Sequence, residues 1–287
     1  MKPHLPGALR LMFADDPKAH DRFPAAPLMR REVAMARFGP LVRKGLRFRG
    51  RFEGAKRAIG QAPFEWYRYD SFPNLFYIQH LLRHSSLSLR GVAAELPVLD
   101  LGAADGALSF FLESLGYRVH AVDFSGSNIN RMQGLRKLAA HFDSKVRVQD
   151  MDLDGRFDLA GDYGLALFLG TLYHLKNPFY ALETLARHAR FCFLSTRVAR
   201  LSADRRTRLD APVAYLLDAA ECNGDETNYF FFSPAGLMVL VKRAGWTIRG
   251  SVTSGSSESD PITPQGDERM YLLLESAFRG AQVPPTE

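Results

Sequence analysis

The run Val98-Leu-Asp-Leu-Gly-Ala-Ala-Asp-Gly106 restricts the fold more than any other part of the chain. A short apolar strand enters a turn through Gly102 and Gly106, and a helical pattern opens at Ala107. Glycine at such a turn admits positive φ and lets a ligand approach bare backbone. A strand, sharp turn and helix in this order belong to open α/β sheets, which take ligands in the crevice beyond the carboxyl ends of the strands.

The downstream sequence extends that pattern. Strands are predicted over Pro97–Leu101, Tyr117–Asp123, Lys145–Gln149, Tyr163–Leu169, Phe191–Ser195, Trp246–Val252 and Met270–Glu275. Helical spacing falls between them, over Ala107–Leu115, near Asn128–His141, over Pro178–Ala189 and over Ser233–Ala244. The last of these has Ser at the N-cap, Pro at the first helical position and Gly245 just past the end. Alternation of this kind predicts an α/β fold: a seven-stranded, doubly wound, Rossmann-like sheet with helices on both faces. Ser251–Asp260 is the one low-complexity stretch and reads as a surface loop.

Upstream, residues 1–60 read as a basic N-terminal extension with weak periodicity, in which Pro3, Pro6, Pro17, Pro24, Pro27 and Pro40 interrupt any long helix. Residues 61–95 form a helical bridge or lid, with helical spacing over Asn74–Arg83; residues 96–280 hold the sheet, and 281–287 a tail. Residues 1–68 contain 15 Lys/Arg against 6 Asp/Glu, a net of +9 within a total of +6, so the rest sums to −3. The densest cluster is Arg43, Lys44, Arg47, Arg49, Arg51, Lys56 and Arg57. Such a cluster is either a solvated basic face or a track for a nucleic-acid backbone. Cys192 and Cys222 are too few for a disulfide framework or a metal site, which fits a reducing compartment. No run reaches signal-peptide or membrane-span character, so the expectation is a cytoplasmic protein without metal or membrane association.

Asp123 closes the second strand 21 residues after Gly102, where a carboxylate can accept both ribose hydroxyls of an adenosine. Asp150 falls at the end of the third strand, placed to receive an adenine amino group while the Met151 amide donates to the ring. A dinucleotide fold also puts an acidic residue about 20 positions downstream. Its G-x-G-x-x-G pattern, however, would need glycine at 104 and 107, where this chain has Ala104 and Ala107. The spacing from Gly102 to Gly106 instead fits a nucleoside site.

Residues 97–123 resemble the first two motifs of class I methyltransferases, and Phe168–Pro178 (FLGTLYHLKNP) resembles their fourth-strand motif. The likeness covers roughly residues 97–276. It implies S-adenosylmethionine as cofactor and S-adenosylhomocysteine as product, with Asp100, Gly102, Ala104, Asp105, Gly106, Asp123, Phe124, Asp150, Met151 and Leu169 at the cofactor, and Asp100 near the methionine amino group. A weaker resemblance is to the enzymes that methylate or carboxymethylate the wobble uridine of transfer RNA. It rests on Phe64–Tyr67, Leu172-Tyr-His174, Asn228–Pro234 and Arg269; the leader's Trp/Lys pattern and the text at Asn128–Asn130 depart from that family.

Methyl transfer is an in-line displacement, so alignment is the main task and a base is needed only for some nucleophiles. Tyr173, His174 and Arg269 are the catalytic candidates. Tyr173, favoured by the family resemblance, can hydrogen-bond the substrate or orient the transferring group. His174 is either a general base or an imidazole bonding backbone at a helix entry. Arg269 binds an anionic substrate, a carboxylate-bearing cofactor or a surface carboxylate. Trp66, Tyr67, Asn128, Asn228 and Tyr229 are substrate-binding candidates, with packing or helix capping (for Asn128 and Asn130) as the alternative in each case. Three functions follow: methyl transfer to a small acceptor, methyl or carboxymethyl transfer to RNA, or cofactor binding without turnover.

Overall fold

The computed structural model describes residues 38–60, 62–219, 221–263 and 267–279. Five of the six prolines expected to interrupt the leader, from Pro3 to Pro27, lie outside the described residues, as does the tail from residue 281.

Pro40 does the opposite of interrupting. It opens a 20-residue helix, α1 (Pro40–Ile59), because proline at the first turn has no amide to satisfy and its φ is preset. Val42, Gly45, Phe48, Phe52 and Ala55 form its buried face. The Phe48 ring lies 5.8 Å from Phe111, 6.0 Å from Phe142 and 6.2 Å from Phe72. The expected extension is therefore, from Pro40 onward, part of the main core. Its periodicity was hard to read because cations fill the exposed face and a glycine sits in the apolar stripe.

Two further helices follow, α2 (Asn74–His84) and α3 (Leu89–Ala93). Then comes the alternation: β1 (Val98–Leu101), α4 (Ala107–Ser114), β2 (Val119–Asp123), α5 (Gln133–His141), β3 (Arg147–Asp150), β4 (Tyr163–Leu169), α6 (Pro178–His188) and β5 (Ala189–Arg197). The short strands β6 (Ala214–Leu216) and β7 (Phe230–Phe232) pair as a separate ribbon, and α7 (Pro234–Arg243), β8 (Trp246–Gly255) and β9 (Glu268–Ser276) complete the chain.

The seven-stranded sheet has the order β3-β2-β1-β4-β5-β9-β8. The first five are parallel, while β9 runs antiparallel between β5 and β8. Along β4 and β5 alternate residues enter two cores: Leu165, Leu167, Phe191 and Phe193 on the side of α1, and Ala166, Phe168, Cys192 and Leu194 on the side of α6 and α7. Burial on both faces explains why these strands read as continuous apolar runs.

Helix α5 begins at Gln133, not near Asn128 as the spacing predicted. The Asn128 carboxamide oxygen accepts the amides of Asn130 and Met132, and Arg131 and Met132 take positive φ. A side chain that bonds its own downstream backbone holds off the helix for one more turn.

Candidate functional site

The tips of β1, β2 and β3 lie side by side. After β1 the chain turns through Gly102, Ala104 and Gly106 at φ of 72°, 53° and 82°. The space a β-carbon would fill at Gly102 is taken by the Thr171 side chain, with its hydroxyl 2.1 Å away; at Gly106 it is taken by Leu135 and Phe110. Both glycines are thus demanded by the protein's own packing as well as by backbone conformation.

Asp123, at the tip of β2, lies against this turn. Its Oδ2 accepts the Ala104 amide at 2.7 Å and its Oδ1 accepts the Phe124 amide at 2.8 Å. Burial pushes its pKa up, opposed by these amides and by Asn128. Asn128 is itself buried, and its Nδ2 faces Asp123 without a well-aligned hydrogen bond. Asp100 lies deeper, accepts the Ser109 hydroxyl at 2.6 Å, and is pushed by burial to a pKa of about 6. Asp150 is more open: the Ser125 hydroxyl first, and then the Ser125 amide, which Oδ1 accepts at 2.9 Å, hold its pKa below the usual range.

Three expected contacts have other partners. The Met151 amide donates to the Asp123 carbonyl at 2.9 Å, continuing the β-ladder, so only its side chain is left for a ligand. Asp105 accepts the Tyr67 amide and Asn130 Nδ2, each at 2.8 Å, and pairs with Lys56 at 2.9 Å. Its carboxylate therefore fastens neighbouring segments to the turn. Asn228 is buried and donates to the Cys222 carbonyl at 3.3 Å, bracing its own loop.

The segment before α2 crosses the strand tips. Asn130 Nδ2 donates to the Glu65 carbonyl at 3.1 Å, and the Tyr67 hydroxyl accepts the Ile129 amide at 3.3 Å. Burial raises the Tyr67 pKa, reinforced by Asp123. Trp66 packs edge-on to Phe64 at 4.9 Å with the Lys56 ammonium 5.3 Å above its ring. Three residues on, Tyr69 faces the Arg269 guanidinium at 5.5 Å. The strap thus runs from the β2 side of the crevice to the β9 side.

Past β4, beyond the half-buried Leu169, a single 3₁₀ turn holds Leu172–His174. The Tyr173 carbonyl accepts the Tyr229 amide at 2.9 Å, and its ring lies edge-on to Phe231 at 5.7 Å. Lys176 stands 5.4 Å over the Tyr229 ring. His174 Nδ1 lies 2.9 Å from the Thr227 hydroxyl and 3.2 Å from the Thr227 carbonyl. That hydroxyl donates to Asp225 at 2.6 Å, so Nδ1 carries the hydrogen and donates to Thr227. Nε2 is then the basic nitrogen, with no partner among the described residues. Burial lowers the His174 pKa. Sequence reasoning had Lys56 only as part of the basic cluster and missed Arg197, Asp225, Thr227 and Asp267, most of whose contacts join distant parts of the chain. Arg197, closing an apolar strand, was the one with a visible signal.

Among the described residues no cluster of His, Cys, Asp and Glu suits a metal ion, and no helix is long and apolar enough to cross a membrane.

A methyltransferase domain family matches residues 64–250. No curated protein matches the chain. Among solved structures, the MccD protein superposes with a TM-score of 0.52 at 11% identity, covering 71% of this chain and 98% of its own. The N-terminal domain of EvdMO1 with SAH bound gives 0.48 at 17% identity, covering 79% and 96%. An S-adenosylmethionine-dependent methyltransferase from Clostridium acetobutylicum gives 0.46 at 11% identity, covering 70% and 89%. With the family match spanning well over half its length, and the turn and carboxylates in place at the strand tips, the chain belongs to this methyltransferase family, as a class I enzyme with S-adenosylmethionine as its cofactor.

Proposed function

We propose that the adenosine of the cofactor is held at the tips of β1 to β3 and that the acceptor lies beyond β4, between Tyr173, His174 and Arg269. One observation carries this reading: Asp123 lies buried against the glycine turn, both its oxygens held by backbone amides and the Asn128 carboxamide beside it. An ionised carboxylate can accept about four hydrogen bonds. Two come from backbone amides and Asn128 faces a third position, so capacity remains for a ligand hydroxyl. The residues therefore fit a nucleoside.

S-adenosylmethionine, when bound, supplies a methyl group already activated on a sulfonium. This chain's residues position and shield. Asp100 is placed to meet an ammonium, Asp150 an exocyclic amine, and the strap at Trp66 and Tyr67 limits water. His174 Nε2 is placed to take a proton from an acceptor hydroxyl. Titration with S-adenosylhomocysteine tests the cofactor half of the reading: Asp123→Ala should weaken binding by about 1–3 kcal/mol, as for lost hydrogen bonds to a charged group. Unchanged affinity in the variant would remove Asp123 from the site.

An RNA acceptor is the second reading, and it rests on α1. Lys44, Arg47 and Arg51 are exposed along one stripe, whereas Arg49 pairs with Asp70 at 2.9 Å and the half-buried Lys56 pairs with Asp105. Filter binding of bulk transfer RNA at two salt concentrations tests it, because phosphate contacts require a steep salt slope.

A further inference from the structure

The loop between β6 and β7 is docked against the 3₁₀ turn that follows β4. The Tyr229 amide donates to the Tyr173 carbonyl at 2.9 Å, and Arg197 Nη1 of β5 donates to Cys222 Sγ at 3.0 Å. Within the loop the Asp225 amide donates to the Cys222 carbonyl at 3.1 Å, and Asp225 Oδ1 accepts the Thr227 amide at 3.0 Å. An aspartate that accepts the amide two residues on is enough to shape such a turn. Yet the same Oδ1 also accepts the Thr227 hydroxyl at 2.6 Å, the length of a charge-assisted bond. That hydroxyl in turn lies 2.9 Å from His174 Nδ1. The turn has no need of this second link.

The surroundings of His174 give the link a task. Burial disfavours a charged imidazole, and Arg269 on β9 and Arg197 on β5 disfavour it further, while Asp225 and the Thr227 carbonyl act the other way. The Tyr173 ring completes the surroundings, 4.1 Å from the imidazole. A base here becomes a cation when it takes a proton, and it does so within the field of two guanidiniums. An opposing carboxylate offsets that repulsion, and a hydrogen bond at Nδ1 fixes which nitrogen is basic.

We propose that Asp225 and Thr227 are positioning residues for His174: they hold the hydrogen on Nδ1, leave Nε2 basic and stabilise the imidazolium formed when Nε2 takes the acceptor's proton. The inference rests on the placement of the acceptor beyond β4. In that step the acceptor O–H bond breaks and an Nε2–H bond forms, while the electron pair stays on the acceptor oxygen. The imidazolium later returns its proton to water. A base held in this way serves an acceptor that must lose a proton before it attacks, as a hydroxyl does.

Long-range proton–nitrogen correlation spectra of histidine-labelled protein, followed through a pH titration with and without S-adenosylhomocysteine, test this. Wild type should show the Nδ1–H tautomer. Asp225→Asn keeps an oxygen for the Thr227 amide and hydroxyl but removes the charge, and should make His174 about tenfold harder to protonate. Thr227→Val leaves the Asp225 turn in place and should lower the titration midpoint in the same direction, whereas Thr227→Ser should match wild type. S-adenosylhomocysteine affinity should stay within twofold of wild type in all three, which also shows that they are folded. The proposal fails if wild type carries its hydrogen on Nε2, if Asp225→Asn and Thr227→Val leave the midpoint in place, or if Thr227→Ser lowers it as far as Thr227→Val. Asp225 then only closes its turn. Saturation with S-adenosylhomocysteine should move the His174 resonances. Bound S-adenosylhomocysteine that leaves them unchanged would overturn the acceptor placement and the base role with it, whereas the tautomer and the midpoints would still report on the link itself.

Discussion

Lys56 of α1 and Asp105 of the glycine turn form an ion pair at 2.9 Å, with side-chain exposures of 11% and 2%. Asp105 also accepts the Tyr67 amide, and the Lys56 ammonium lies over the rings of Phe52 and Trp66. One carboxylate therefore ties the leading helix and the strap to the glycine turn. Lys56→Met should lower unfolding stability by about 3–5 kcal/mol, because it leaves a buried charge without its partner. Adding Asp105→Asn should restore much of the loss. Chemical denaturation of the two variants measures both effects, and equal losses in the single and double variants would show that the pair carries little of the stability.

Asp100 should trade stability for binding. Its folded pKa of about 6 exceeds the reference 3.8, so the folded state holds its proton more tightly than the unfolded chain does. Its contribution is then fully present below pH 3.8 and is lost as pH rises through about 6. Asp100→Asn keeps an acceptor for Ser109 without the charge, and should stabilise the protein at pH 7.5 by up to about 3 kcal/mol. The gain should vanish near pH 4, and S-adenosylhomocysteine affinity should fall. Denaturation at the two pH values, with a titration at the higher, checks the pattern.

His174 works in the opposite sense. Burial lowers its folded pKa below the ordinary 6.5 of an imidazole, so the unfolded chain binds the proton more readily. Stability should decline as pH falls below 6.5 toward the lowered folded value. His174→Gln should flatten this part of the pH–stability curve. Long-range proton–nitrogen correlation spectra should show the Nδ1–H tautomer at neutral pH, and Thr227→Val should redistribute it.

Gly102→Ala should destabilise the fold by about 1–3 kcal/mol, since it places a side chain in left-handed backbone against a packed neighbour. The nearest atom is the Thr171 hydroxyl, so Thr171→Ala in the same chain should recover part of the loss. Thermal unfolding of the single and double variants measures it; full recovery would mean that backbone conformation contributes nothing.

Where periodicity and chemistry are local, the sequence was readable. Strand β4 spans Tyr163–Leu169 as its apolar run predicts, and Asp123 and Asp150 close their strands beside the turn. The ribbon of β6 and β7 escaped because each strand has three residues and Phe230–Phe232 reads equally as core. Helix α1 escaped because cations on its exposed face masked the buried stripe. Asp225, Thr227 and Arg197 gain meaning only through partners brought by folding: Thr227 meets His174 across 53 residues. No spacing rule reaches that far.

Strand β9 is the final strand in sequence yet occupies an interior place in the sheet, hydrogen-bonded to β5 on one side and β8 on the other. Until it inserts, β8 lacks a neighbour and β5 presents an open edge, both of them liabilities for association between chains. Asp267 and Arg269 arrive with that same insertion. During synthesis the sheet therefore closes last at its β5 edge, and a chain stalled before residue 267 leaves that edge open to pairing with another chain.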